Sequence, residues 1–391
     1  MSASGDDSQP FRVLIVGAGV AGLEGALALR DLAGDAVGLT LLSPAEEFVY
    51  RPMSVREPFA YSGADHYPLA PIARDLGAEL VKDALSWVDT DARLVHTEGG
   101  AALSYDALLL ALGATAHARY AHALTIDAAH MDETLHGLIE DVEGGYIESL
   151  AFVVPAPMAW PMPIYELALM TAGRAYDMNI ALPVTVITPE DAPLAIFGQE
   201  ASAAVSRLLA DAGVTTILSS YAEIPEEGRV LLTPGDRELR FARIIALPEL
   251  AGPAVRGLPA GEHGFIPVDQ HSKVREVERV YAAGDAVDFA VKHGGVSSQQ
   301  ADVAAEAIAA LAGIPVDPKP FDPVVHGILL TGGSPKYLTA HITGGHGSSS
   351  TISDTPTWEP ASKIAAKYLA PYLQERAERG PAARRGGEDD G

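Results

Sequence analysis

Three glycines, Gly17, Gly19 and Gly22, stand in G-x-G-x-x-G spacing in the run GAGVAG, with Ala18 and Ala21 between them. That spacing suits a dinucleotide pyrophosphate. The first glycine makes a tight turn, the second lets phosphate oxygens touch the backbone, and the third lets the next helix lie close to the strand before it. Such units usually carry an acid about 20 residues further on, at the end of the next strand, to hold ribose hydroxyls. Ser43 occupies that place here, and Glu46 and Glu47 follow. Glu47 is the expected ribose ligand, the Ser43 hydroxyl is the alternative, and a merely solvated Glu47 is the bland reading. Arg51, beside the rigid Pro52, could grip a pyrophosphate through its fork of N–H donors or serve in a surface ion pair.

These residues need particular elements to position them. Val13–Val16 is a short β-branched apolar run that reads as a buried parallel strand. From about Val20 to Leu32, apolar residues recur at helical spacing, which aims the helix N-terminus at the phosphates. Val37–Leu42 reads as the second strand, Leu80–Val88 and Leu94–Thr97 as an antiparallel pair, and Tyr105–Leu112 as a strand buried on both faces. Gly113 ends that last strand where a cofactor can approach.

A second unit repeats this layout: strand Leu150–Val154, helix Pro163–Tyr176, strand Val184–Thr188, helix Glu200–Ala212 and strand Val214–Leu218. Pro155, Pro157, Pro161 and Pro163 occupy the place of its glycine fingerprint. Proline has no N–H to offer a phosphate, so this unit is not expected to bind a dinucleotide by the usual loop. Val280 onward returns to the first unit, with Gly284-Asp285, the turn Gly294-Gly295, a Ser297 or Ser298 N-cap and a helix whose N-terminus suits a delocalised anion. Val324–Thr331 and Lys336–Thr343 read as a hairpin, Gly344–Ser350 as a flexible loop, and Ala361–Leu373 as a helix kinked at Pro371. The stripe Ile364, Tyr368, Leu369, Tyr372 and Leu373 on that helix suits core or a homodimer face, with peripheral membrane contact as the lesser reading.

The 391 residues suffice for two or three domains. A net charge of −25 argues against nucleic acid and against adhesion to anionic lipid. With no cysteine, the chain has no disulfide, no dithiol pair and no cysteine-bound cluster, so redox chemistry must rest on a bound cofactor. No metal-site spacing occurs. The first ten residues lack a signal-peptide core and no run is long enough to span a bilayer, so a cytoplasmic protein is expected, with the inner membrane face as a peripheral alternative. Residues 1–10 and 380–391 read as disordered tails.

The N-terminal fingerprint, the YDALLLALGA segment, the second β-α-β unit and the late VYAAGD segment together resemble the two-dinucleotide-binding-domain flavoproteins of the pyridine nucleotide-disulfide oxidoreductase superfamily. The branch resembled contains sulfide:quinone oxidoreductase, the flavoprotein of flavocytochrome c sulfide dehydrogenase and type II NADH dehydrogenase. The resemblance covers about residues 11–375. It implies an α/β fold of two Rossmann-like domains, the second inserted in the first. The FAD-binding domain would be 11–126 and 263–313, the second domain 127–262, and a small C-terminal α+β segment 314–379.

It also implies non-covalent FAD. Gly17, Gly19 and Gly22 would hold the pyrophosphate, and Gly113 and Ala114 would close over the adenosine half. Asp285, after Gly284, would bind the ribityl chain or pyrophosphate, and Val296 and Ser297 would bring N–H groups to the flavin pyrimidine edge. Glu166 resembles a carboxylate beside the isoalloxazine, where burial would raise its pKa and suit it to relay protons; a helix-surface carboxylate is the alternative. Trp160, Tyr165, Lys292 and His293 are further candidates for lining the flavin. Lys292 could contact the cofactor, and His293, titrating near neutral pH, could protonate a quinone oxygen.

Two departures narrow the activity. Sulfide oxidation by a cysteine relay is excluded, and NAD(P)H is doubtful because of the prolines. The expected function is an FAD-dependent oxidoreductase acting between a small-molecule donor and a quinone or other small acceptor. An NAD(P)H-dependent flavin oxidoreductase is one alternative. A flavin-binding regulatory or partner-binding protein without turnover is the other.

Overall fold

A computed structural model describes residues 10–379 apart from 62, 158–159 and 344–345. Of the tails expected at 1–10 and 380–391, residues 1–9 and 380–391 lie outside the described residues. Two five-stranded parallel sheets dominate. In the first, the strand order is Val280–Ala282, Ala107–Leu110, Phe11–Val16, Val37–Leu42, Glu79–Val81. In the second it is Leu124–Thr125, Arg243–Ala246, Leu150–Val153, Val184–Ile187, Thr215–Ile217. The same plan twice places Leu150–Val153 in the second sheet where Phe11–Val16 stands in the first. Leu124–Thr125, assigned by sequence to the first unit, is an edge strand of the second.

Among the described residues seven α-helices accompany the sheets: α1 Val20–Ala33, α2 Leu69–Asp75, α3 Met131–Glu143, α4 Met162–Asp177, α5 Gly198–Asp211, α6 Gly294–Leu311 and α7 Leu369–Glu378. Helix α1 packs on α6, and Leu23, Ala26, Leu29, Ala301, Ala305 and Ile308 fill the seam between them and the first sheet. No helix among the described residues is long and apolar enough to cross a membrane.

Several sequence expectations are corrected. Leu80–Val88 is not one strand: Glu79–Val81 joins the parallel sheet, while Leu85–Asp89 pairs antiparallel with Leu94–Thr97. The expected loop at 344–350 is largely strand, because His346–Ser353 pairs with Lys336–Thr343 as the third strand of a small antiparallel sheet; 344 and 345 lie outside the described residues. Helix α6 starts at Gly294, with His293 as its N-cap residue. Ser297 and Ser298 lie inside its first turns, where their hydroxyls donate to the carbonyls of His293 and Gly294.

The C-terminal helix is later and shorter than expected. Residues 361–368 form an irregular strap, and Pro371 sits in the first turn of α7, where a missing N–H breaks no helical hydrogen bond. The apolar stripe folds inward: Ile364, Leu369 and Leu373 are buried with the first sheet's core, and Tyr368 and Tyr372 pack against it.

Candidate functional site

The end of the first sheet opens into a cavity of about 990 Å³. Gly17 and Gly19 line its floor, with Gly22 beneath them, and each has a distinct reason to lack a side chain. Gly17 has φ +101°, and a Cβ there would lie 2.2 Å from the Ala111 carbonyl oxygen. A Cβ on Gly22 would lie 1.9 Å from the Gly17 carbonyl oxygen, so this glycine serves the contact of helix with turn. Gly19 is different: a Cβ there meets nothing within 4 Å. No protein atom demands that glycine, so its bareness leaves room for something placed against the backbone at the α1 N-terminus. A pyrophosphate fits that cradle.

The cavity gathers nearly every residue singled out in the sequence. Gly17, Ala18, Gly19, Ala21, Ser43, Glu47, Arg51, Gly113, Trp160, Glu166, Gly284, Asp285, Lys292, His293 and Ser297 all line it. Gly22 lies beneath the turn, and neither Ala114 nor Val296 reaches the lining; the Val296 side chain packs into the second unit's core. Tyr165 is corrected outright. It is fully buried away from the cavity, and its hydroxyl donates to Glu190 Oε2 at 2.5 Å.

At the end expected to take the adenosine half, Ser43 is buried, and its Oγ accepts from the Ala45 N–H at 3.2 Å, leaving the hydroxyl proton to donate. Glu47 is exposed and paired with His66 at 2.9 Å. Arg51 lies close enough to Asp127 to help lower that carboxyl's pKa. Asp83–Ser86 and Pro253–Arg256 complete this wall. The Arg256 guanidinium is held over the Trp87 ring at 5.1 Å. No spacing in the sequence singled out these two segments.

The opposite end is more deeply buried. Burial raises the Asp285 pKa, while the Lys292 charge and the Ser297 hydroxyl at 3.5 Å pull it back. Burial pushes the Lys292 ammonium down to about 8, against the charges of Asp285 and Asp288. Lys292 Nζ donates to the Val287 carbonyl and lies 3.8 Å from the Phe265 ring centroid. The expectation that His293 titrates near neutral pH is corrected. Its ring packs against Trp160 at 4.4 Å with a tilt of 40°, and burial pushes its pKa down to about 3, with the Lys363 and His326 charges adding to the shift. A neutral imidazole cannot supply a proton near pH 7 as imidazolium would.

Glu166, on α4, is not a surface carboxylate; it is 1% exposed. Lys363, from the strap, donates to Glu166 Oε2 at 2.8 Å and to the Pro52 carbonyl at 3.1 Å, and the Leu330 N–H donates to Glu166 Oε1 at 2.9 Å. Burial raises the Glu166 pKa, opposed by Lys363 and the Leu330 N–H. Lys363 is the residue the sequence reading missed. It stands in an ordinary run, ASKIAAKY, and its partner is 197 residues away.

Lys363 and Ile328 also line a second cavity of about 680 Å³, walled by Tyr50, Tyr67, Tyr337, Met170, Leu330 and Leu373. The ion pair therefore stands where the larger cavity and a smaller one with aromatic walls meet. No group of three or more His, Asp or Glu side chains suited to a metal occurs among the described residues.

The family model described as pyridine nucleotide-disulphide oxidoreductase matches residues 11–143 and 166–307. An NADH dehydrogenase-like protein of Mycobacterium tuberculosis is 26% identical over 290 residues, covering 70% of this chain and 72% of the relative. A sulfide-quinone reductase of Aquifex aeolicus is 28% identical over 208 residues, covering 51% of this chain and 47% of that one. The crystal structure of sulfide:quinone oxidoreductase from Aquifex aeolicus superposes with a TM-score of 0.76 at 20% identity, covering 94% of this chain and 90% of the other.

Proposed function

Since the chain belongs to the pyridine nucleotide-disulphide oxidoreductase family, we propose that the larger cavity holds FAD non-covalently and that the protein is an FAD-dependent oxidoreductase delivering electrons to a quinone or another small acceptor. The observation that carries this reading is the Glu166–Lys363 pair at the junction of the two cavities. When bound, FAD supplies the electron-transfer chemistry.

The chain's own residues supply position and protons. The α1 N-terminus and the bare backbone at Gly19 take the pyrophosphate. Asp285 and Lys292 set the charge beside the N-terminus of α6, whose first N–H groups have no partner within the helix. Trp160 and the neutral His293 close the wall between the two units and exclude water. Lys363, bonded to Glu166 Oε2, lines both cavities, so the pair can give a proton to an acceptor oxygen in the smaller cavity and recover one from the larger. The aromatic and apolar walls of the second cavity suit a flat, weakly polar acceptor. A route through cysteine has no residue to use.

The M. tuberculosis relative, named NADH dehydrogenase-like, favours a second reading in which NADH is the donor. Pro155, Pro157 and Pro161 stand against it, because they remove three N–H groups from the stretch that follows Val153, where a pyrophosphate would bind. The visible spectrum before and after anaerobic NADH separates the two. A flavin spectrum that persists supports another donor, immediate bleaching supports NADH, and no flavin even after added FAD rejects both. Glu166→Gln should slow reoxidation by a soluble quinone; an unchanged rate rejects the proton role.

A further inference from the structure

Glu24 sits in the second turn of α1, fully buried, with no lysine or arginine side chain bonded to it among the described residues. A buried carboxylate without a cation is costly unless hydrogen bonds replace water. Here they come from the strap: the backbone N–H groups of Tyr368 and Leu369 donate to Glu24 Oε1 and Oε2 at 2.9 and 2.5 Å. These donors stand at the start of α7, which has no side-chain cap of its own. Further back along the strap, the Ile364 N–H donates to the Tyr50 hydroxyl at 3.1 Å, and Lys363 precedes it. Between these two anchors the strap has no helix or strand.

We propose that Glu24 is a positioning residue for the candidate site: with Asp302 beside it, Glu24 fixes the strap backbone and so holds Lys363 against Glu166. The importance of Lys363 rests on the function proposed above; the positioning does not.

Asp302, on α6, makes this anchor sensitive to pH. Its Oδ1 is buried without a partner. The charged groups around it are Glu24 from α1, Glu306 from α6 and Lys367 from the strap; Asp31 of α1 and Lys367 face the neighbouring Tyr368. Burial and the Glu24 charge push the Asp302 carboxyl up to about 8. Near neutral pH the pair therefore holds one proton, on Asp302, because Glu24 accepts the backbone donors. A raised carboxyl pKa favours the docked strap at low pH, and that contribution drains away as pH rises towards 8.

The test is brief acylation with an amine-reactive ester, read peptide by peptide by mass spectrometry. Lys363 is compared with Lys82, whose side chain is 61% exposed against 8% for Lys363. In the wild-type protein, Lys363 should react about tenfold or more slowly than Lys82 near neutral pH. Glu24→Ala should bring the two within about threefold. From about pH 6 to 8, the Lys363/Lys82 ratio should climb in the wild type and stay lower in Asp302→Asn; comparing the proteins at each pH cancels the amines' own ionisation.

A ratio in Glu24→Ala equal to wild type, or the same climb in Asp302→Asn as in wild type, overturns the proposal. Should Glu24→Ala fail to fold, Glu24→Gln and Asp302→Asn decide it by the same ratios. If the ratios move as stated while Lys363→Met leaves quinone reoxidation unchanged, the positioning stands and the proton role of Lys363 falls.

Discussion

Replacing Lys363 by Met should give a stability loss that depends on pH in a defined way. The substitution keeps the bulk of the side chain and removes its charge, leaving Glu166 buried with only the Leu330 N–H as a donor. A carboxylate in that position takes up a proton rather than remain charged. The unfolded chain keeps Glu166 at the ordinary carboxyl value of 4.5. At pH 7 the folded variant therefore carries a proton that the unfolded chain has lost. Against its unfolded chain the variant's linkage is about 1.4 kcal/mol for each pH unit above 4.5, or about 3.4 kcal/mol at pH 7. Burial already raises the wild-type Glu166 pKa, so the loss relative to wild type is smaller than this.

The sign follows from the raised folded pKa. Relative to wild type the penalty is absent below the raised Glu166 pKa of the wild type and grows above it by up to about 1.4 kcal/mol per pH unit. Urea unfolding of wild type and Lys363→Met, followed by circular dichroism at each pH, reads the difference. The double variant Glu166→Gln with Lys363→Met should lose the slope. A difference that stays constant from about pH 5 to 8 would refute an ionised Glu166 held by Lys363.

Other outcomes follow from the same geometry. Gly19→Val should fold with near-native stability, since its Cβ meets nothing within 4 Å, yet purify with little flavin absorbance. Gly22→Ala should instead lose about 2 kcal/mol or more in thermal unfolding, because its Cβ falls 1.9 Å from a backbone oxygen. His293 should show no imidazole titration by NMR from about pH 5 to 8, whereas the exposed His130, held by Asp127, should titrate above the ordinary histidine value. Tyr165→Phe removes one donor from the buried Glu190, whose pKa is already pushed up to about 7, and should lower stability by about 1–3 kcal/mol without changing flavin content.

Much of the fold was legible in the sequence because its signals are local. The apolar run Val13–Val16, the glycines at 17, 19 and 22 and the apolar period of α1 lie within about one strand, turn and helix, and each acts on its immediate neighbours. The second β-α-β unit was legible for the same reason, as were its prolines, which remove N–H groups wherever the chain goes. Where sequence and structure diverge, a non-local contact decided. His346–Ser353 became a strand because Lys336–Thr343 offered an edge to pair with. The strap kept no helix before Leu369 because Tyr50 and Glu24 hold its backbone in place of helical bonds.

The sequence by itself determined a turn that can cradle a pyrophosphate, a second unit with prolines at the corresponding turn, and a chain with no thiol for redox chemistry. Residue type and spacing alone settle such matters. Protonation and partnership were decided by tertiary structure. His293 became a neutral wall because α6 and Trp160 bury it. Glu166 became half of an ion pair because a strap 197 residues later delivers Lys363 to it. Whether a carboxylate or an imidazole is charged depends on the solvent removed and the charges placed around it, and those come from parts of the chain that no spacing connects.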